Sequence, residues 1–94
     1  QAVSRGLGDV YKRQLLRRNS DPSLWFLLSE IQKDNLNVAG YHQSRAEYFI
    51  LLGQNERALN ELQFALKLSQ DNFQTFEIIM TKINNLREKL NKRI

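Results

Sequence analysis

Few side chains in this sequence could do chemistry. His42 is its one histidine, cysteine is absent, and the carboxylates Glu30, Glu47, Glu56 and Glu61 are scattered through the middle of the chain. A helix-borne zinc site needs two imidazoles one turn apart and a glutamate beside the water they activate, the H-E-x-x-H pattern. His42 is followed by Gln43, so that site cannot form, and a thiolate zinc site is excluded with it. We therefore expect no catalytic, cofactor-binding or metal-ligating residue and no cofactor. His42 reads as a structural or exposed side chain, and the four glutamates read as charges on exposed helix faces. What is left is surface that a protein or peptide partner could use.

The elements that would position such a surface are helical. From Arg45 to Leu66 the chain reads RAEYFILLGQNERALNELQFAL. Small Ala46 and Ala58 let two antiparallel helices approach closely, Phe49 and Leu62 fill the space between them, and Gly53 supplies the turn. With Ala65 added, the order of small, aromatic, glycine, small, large and small resembles the tetratricopeptide (TPR) hairpin, whose repeat is about 34 residues.

Other helices flank this hairpin. Leu15 to Asn19 reads as the last turn of a preceding helix. Asp21 caps the next helix, with Pro22 at its first position and Leu24, Trp25, Leu27, Leu28 and Ile31 along it, ending near Asp34 or Asn35. The hairpin's own helices run from Asn37 or Val38 to Leu52 and from Asn55 to about Ser69. Asp71 or Asn72 caps a last helix in which Phe73, Phe76, Ile79, Ile83, Leu86 and Leu90 recur every three or four residues. No strand-like alternation interrupts the pattern. The expected fold is all-α, with antiparallel hairpins of TPR type, about one and a half to two repeats, and a C-terminal capping helix.

The pattern assigns residues to roles. Trp25 and Leu28 fit the W-x-x-L opening of a TPR helix, although Ser29 stands for the usual small residue and Gln32 for an aromatic one. Trp25, Leu28, Ala46, Phe49, Gly53, Ala58, Leu62 and Ala65 are expected to pack the repeats, with Phe73, Phe76 and Met80 also packing. In TPR arrays the first helix of each hairpin lines a concave groove. Mapped here, that rule places Phe26, Glu30 and Lys33 on one helix and Gln43, Glu47 and Ile50 on the next as the candidate partner-binding groove.

The N-terminal segment has another character. Ser4 to Gln14, SRGLGDVYKRQ, resembles translated sequencing adapter: a transposase-type library adapter read in one frame encodes these eleven residues without a mismatch. On that reading residues 1–14 belong to no domain, 15–20 are the remnant of a preceding helix, 21–90 form the TPR-like domain and 91–94 are a basic tail. The frame is then expected to be truncated. DVYKRQLLRR can nonetheless read as helix on its composition.

The net charge of +4 falls to +2 without Arg5, Lys12, Arg13 and Asp9, leaving eleven basic and nine acidic residues. Five of those bases (Lys82, Arg87, Lys89, Lys92 and Arg93) face only Glu88 from position 82 onward. A basic helix end complements the helix dipole, and no aromatic side chain interleaves with it to stack on bases, so we expect a solvated end and no nucleic-acid partner. No apolar run approaches the roughly 18 residues needed to span a bilayer.

DPSLW, SRAEYFILLGQNERALNELQFALKLSQDNFQT and KINNLREKL, in that order, resemble the extreme C-terminus of periplasmic zinc metallopeptidases of the β-barrel assembly-enhancing protease type. Arg45, Ala46, Glu47, Tyr48, Gly53, Ala58, Leu62, Ala65, Leu66, Ile83, Leu86 and Arg87 stand at matching places. The resemblance covers about 70 residues. It implies a parent with an upstream metallopeptidase domain, a periplasmic location, and outer-membrane assembly components or clients as partners. Two other readings stay open: a stand-alone TPR adaptor, as in cytochrome maturation or pilus assembly and with a cytoplasmic location possible, or a dimerisation helix, since Phe76, Ile83 and Leu90 lie seven apart.

Overall fold

The computed structural model describes residues 2–92. They form five helices: α1 (Ala2–Arg17), α2 (Pro22–Asp34), α3 (Val38–Leu51), α4 (Asn55–Leu68) and α5 (Phe73–Asn91). No strand occurs among the described residues. Each helix packs on the next, so the chain is an all-α run of antiparallel hairpins.

Caps set the helix starts. Asp21 accepts from the Ser23 N–H at 3.0 Å, with Pro22 at the first helical position where its missing donor costs nothing. Asn37 accepts from the Gly40 N–H and Asn72 from the Thr75 N–H, each at 3.1 Å. The Asp21 carboxyl is held below its usual range first by the Ser23 hydroxyl; desolvation opposes this, and the Ser23 backbone N–H and the Arg18 guanidinium add to the lowering. A carboxyl depressed in the fold stabilises fully above its unfolded value of about 3.9, and that stabilisation is lost as pH falls from there through the lower folded value. Asp21→Asn is therefore expected to flatten the acid limb of a thermal midpoint against pH curve below about pH 4. An unchanged acid limb would show that the cap carries no linkage.

The ends of α2 and α3 share one device. The Asn37 N–H bonds the Gln32 carbonyl at 2.8 Å, and the Gln54 N–H bonds the Phe49 carbonyl at 2.9 Å, the long-range bond of a Schellman stop. Such a stop needs a left-handed residue. After α3 that residue is Gly53, at φ +77° with open space around it; after α2 it is Leu36, at φ +62°. A side chain in that region costs about 1–2 kcal/mol, and Leu36 is 80% exposed, so packing returns little. Leu36→Gly is expected to stabilise the chain by about 0.5–1 kcal/mol in urea unfolding, after the entropy cost of glycine.

Two clusters hold the helices together. Ala46, Phe49, Ala58, Leu62, Ala65, Ile79, Ile83 and Leu86 form one core that joins α3, α4 and α5, with Tyr48, Ile50, Leu59 and Leu66 packed on it. Ile83 is thus spent inside the fold, which takes the middle residue out of the stripe read as a dimerisation seam. Leu15, Leu24 and Leu28 form a smaller cluster with Tyr11 and Trp25 at the α1–α2 contact. Leu27, on the same helix as Leu24 and Leu28, is exposed, and Phe73, expected to pack, is 76% exposed at the start of α5.

From Asp9 to Arg17 no glycine or proline interrupts α1, so its helicity follows from composition whatever the origin of the segment. Tyr11 is half-buried, while Val10 and Leu16 are exposed. Deleting Gln1 to Gln14 spares Leu15, and should lower the thermal midpoint by no more than the shift of about 4–8 °C that 1 kcal/mol produces in a small domain. Loss of cooperative melting on deletion would contradict this.

Candidate functional site

A cleft of about 770 Å³ opens between the ends of the array. Its wall on one side is Leu15 and Leu16 of α1, with Trp25, Leu28 and Gln32 of α2. The floor is the first ten residues of α3, where Gly40, Gln43, Ser44 and Glu47 lie on adjoining helical positions. Ser69 at the end of α4, Asn72 in the following loop, and Thr75 and Lys82 of α5 close the far side.

Close packing of polar groups shapes this surface. A Cβ on Gly40 would sit 2.5 Å from Asn37 Nδ2 and 2.7 Å from Gln32 Nε2, so any larger residue there would have to push those two amide side chains aside. The Ser44 hydroxyl donates to Gln32 Oε1 at 2.6 Å and ties α3 to α2 at the position where the TPR pattern carries an aromatic residue. Lys82 Nζ donates to Glu47 Oε2 at 2.6 Å, binding α5 to α3 across the cleft. Lys82 is therefore not part of a solvated basic end; Arg87, Lys89 and Lys92 are exposed as expected. Amides, hydroxyls and one ion pair thus share the cleft with leucines and an indole.

The groove expected from the TPR rule is divided by this geometry. Gln43 and Glu47 line the cleft, but Phe26, Glu30 and Lys33 do not. Those three lie on a different face of α2 from Trp25 and Gln32, and the Phe26 ring packs on Tyr48 at 5.6 Å between centroids. Ile50 packs against the larger core instead of facing a partner. The TPR rule and the cleft thus select different faces of α2. In the fold the Trp25 indole N–H donates 2.9 Å to the Asn19 carbonyl and clips the α1–α2 connection.

The packing residues fare differently. Leu28, Ala46, Phe49, Ala58, Leu62 and Ala65 are buried, and Trp25 is half-buried. Gly53 packs nothing and serves the turn alone. Ser29 is buried, its hydroxyl satisfied by the Phe26 carbonyl at 2.6 Å, so it works as a small residue with its polar atom paid off internally.

His42 lies on the other flank of α3. Its Nδ1 is 2.7 Å from Glu61 Oε1, its ring stacks on Phe64 at 5.3 Å, and Arg45 Nε reaches Glu61 Oε2 at 3.5 Å. Glu47 and Glu61 are thus members of cross-helix ion pairs, not the free exposed charges expected of them; Glu56 is exposed as expected. Arg45 also lies over the Tyr41 and Phe49 rings at 5.4 and 5.2 Å. No group of three or more His, Cys, Asp or Glu residues able to hold a metal occurs among the described residues. Among them, too, no helix is long and apolar enough to cross a membrane.

Fold and cleft together define an all-α protein of packed antiparallel hairpins with a concave, mixed-polarity face. The chain matches no protein-family model, no curated protein and no solved structure.

Proposed function

We propose that this chain is a protein-interaction module of TPR type and that the cleft holds an extended segment of a partner protein. The observation that carries the reading is the lining of the cleft. Gln32, Gln43 and Asn72 have side-chain amides that can donate and accept as a peptide unit does, and they stand beside the apolar Leu15, Trp25 and Leu28. A cavity of about 770 Å³ is in the range of sites that enclose small ligands or a few residues of chain. Capture of peptides from a random library by the folded chain tests this. Binders should be lost with Gln43→Trp, which fills the cleft, and kept with Glu30→Trp on a different helix face; the reverse pattern would refute the reading.

We further propose, on the resemblance of residues 21–90, that the module is the C-terminal part of an envelope zinc metallopeptidase that acts in outer-membrane protein assembly quality control. Catalysis then belongs to an upstream domain and the location is periplasmic. Recovery of the gene free of adapter decides between this parent and a stand-alone adaptor. An upstream H-E-x-x-H and a signal peptide support the first, and further repeats without a metal motif support the second.

A further inference from the structure

We propose that Gln32 and Asn37, at the corner where α2 passes into α3, form a two-donor clamp for one main-chain carbonyl oxygen of the bound segment, an inference that rests on the peptide-groove reading above. Both residues line the cleft. Asn37 Nδ2 and Gln32 Nε2 lie 2.5 and 2.7 Å from the point where a Cβ on Gly40 would stand, so the two amide nitrogens converge over a floor residue that has no side chain. Their oxygens are already engaged. Asn37 Oδ1 accepts from the Gly40 N–H at 3.1 Å and Gln32 Oε1 from the Ser44 hydroxyl at 2.6 Å; a backbone N–H only donates, which settles which end of the Asn37 amide is oxygen.

The two nitrogens are free and reachable. Neither donates a hydrogen bond among the described residues, Asn37 is exposed, and half-buried Gln32 keeps accessible surface on Nε2, because the one buried side-chain polar atom without a partner there is the Ser69 hydroxyl. The turn holds the pair in register. Its Asn37 N–H bonds the Gln32 carbonyl at 2.8 Å across Leu36, whose left-handed φ of +62° the stop requires. Backbone strain that returns little packing is found where a set geometry serves a site. A carbonyl oxygen has two lone pairs and can accept from both amides at once. Such oxygens recur at every residue of an extended segment, so the clamp fixes its register without selecting a side chain.

Replacing each amide by the carboxylate of the same shape tests the proposal, because Gln32→Glu and Asn37→Asp keep the oxygen that meets Ser44 or Gly40 and remove the donor. The probes are peptides that the full chain captures from a bead-bound hexapeptide library of glycine, alanine, valine and leucine with acetyl and amide ends. Their only acceptors are carbonyls of the main chain and caps. Each variant should bind these peptides about ten-fold more weakly, the loss of one hydrogen bond with a buried acceptor left unpaired. The thermal midpoint should hold in Gln32→Glu and hold or rise in Asn37→Asp, since aspartate caps a helix as well as asparagine does. Asn35→Asp adds the same charge in the same turn, at a residue that does not line the cleft, and should leave binding unchanged. Undiminished binding by either clamp variant, or an equal loss with Asn35→Asp, would overturn the clamp and leave the groove reading standing. Capture from an unrestricted peptide library but none from this one would also overturn the clamp, and capture from neither would overturn both.

Discussion

Leu62→Ala is expected to cost about 2–5 kcal/mol, enough to unfold much of the population at 25 °C. Leu62 is wholly buried at the meeting of α3, α4 and α5, with Ala46, Phe49, Ile79 and Ile83 in the same cluster. Truncation would leave a cavity that three helices cannot close together, because their contacts are fixed by the neighbouring alanines as well as by Leu62. A domain of this size has only about 3–5 kcal/mol from its core to lose. Urea unfolding followed by far-ultraviolet circular dichroism measures the effect. A midpoint within experimental error of the parent chain would show that the cluster does not hold the fold.

Ala58→Leu is the complementary change. Ala58 is also wholly buried, and it sits with Ala46 and Ala65 where α3 and α4 approach most closely in the sequence pattern. Added carbons there force the helices apart or drive side chains out of their rotamers, at about 1–3 kcal/mol. Asn60→Leu, two residues on but exposed, should change stability by less than about 0.5 kcal/mol and serves as the control. Equal effects of the two substitutions would mean that the small residues are not what sets the helix spacing.

The sequence and the fold agree where the physics is local. Asp21 and Gly53 mark helix ends through a side-chain cap and a left-handed turn, and each does so in the structure; of Asp71 and Asn72, Asn72 is the cap, and Asn37, read only as a helix start, caps α3 as well. Spacing of three and four places Ile79, Ile83 and Leu86 on the inner face of α5, and they are buried. Leu36 escaped because its left-handed turn is imposed by the bond between Asn37 and Gln32, with no glycine to announce it. The Lys82–Glu47 pair spans 35 positions, and Ser44 meets Gln32 across 12, separations at which no rule of helix spacing applies. The amide pair of Gln32 and Asn37 gave no signal either, since its convergence over Gly40 exists only once α2 and α3 are in place.

Those long-range contacts also decide which face of the hairpins is concave. Trp25 pointed to α2 as a groove helix, and half of the expected groove, Phe26, Glu30 and Lys33, followed from that assignment. On α3, Gln43 and Glu47 lie one turn apart and line the cleft, while Ile50 packs on the larger core. The candidate site was therefore legible to the extent that helix periodicity reports it, and not where the packing order of the helices does.

The most direct test of the account is a backbone amide shift map of the chain saturated with one library-selected peptide. The account predicts shifts at Gln32, Gln43, Ser44, Glu47 and Thr75, which line the cleft, and none at Phe26, Glu30 and Lys33. Shifts centred on Phe26, Glu30 and Lys33, with the cleft residues unmoved, would contradict it.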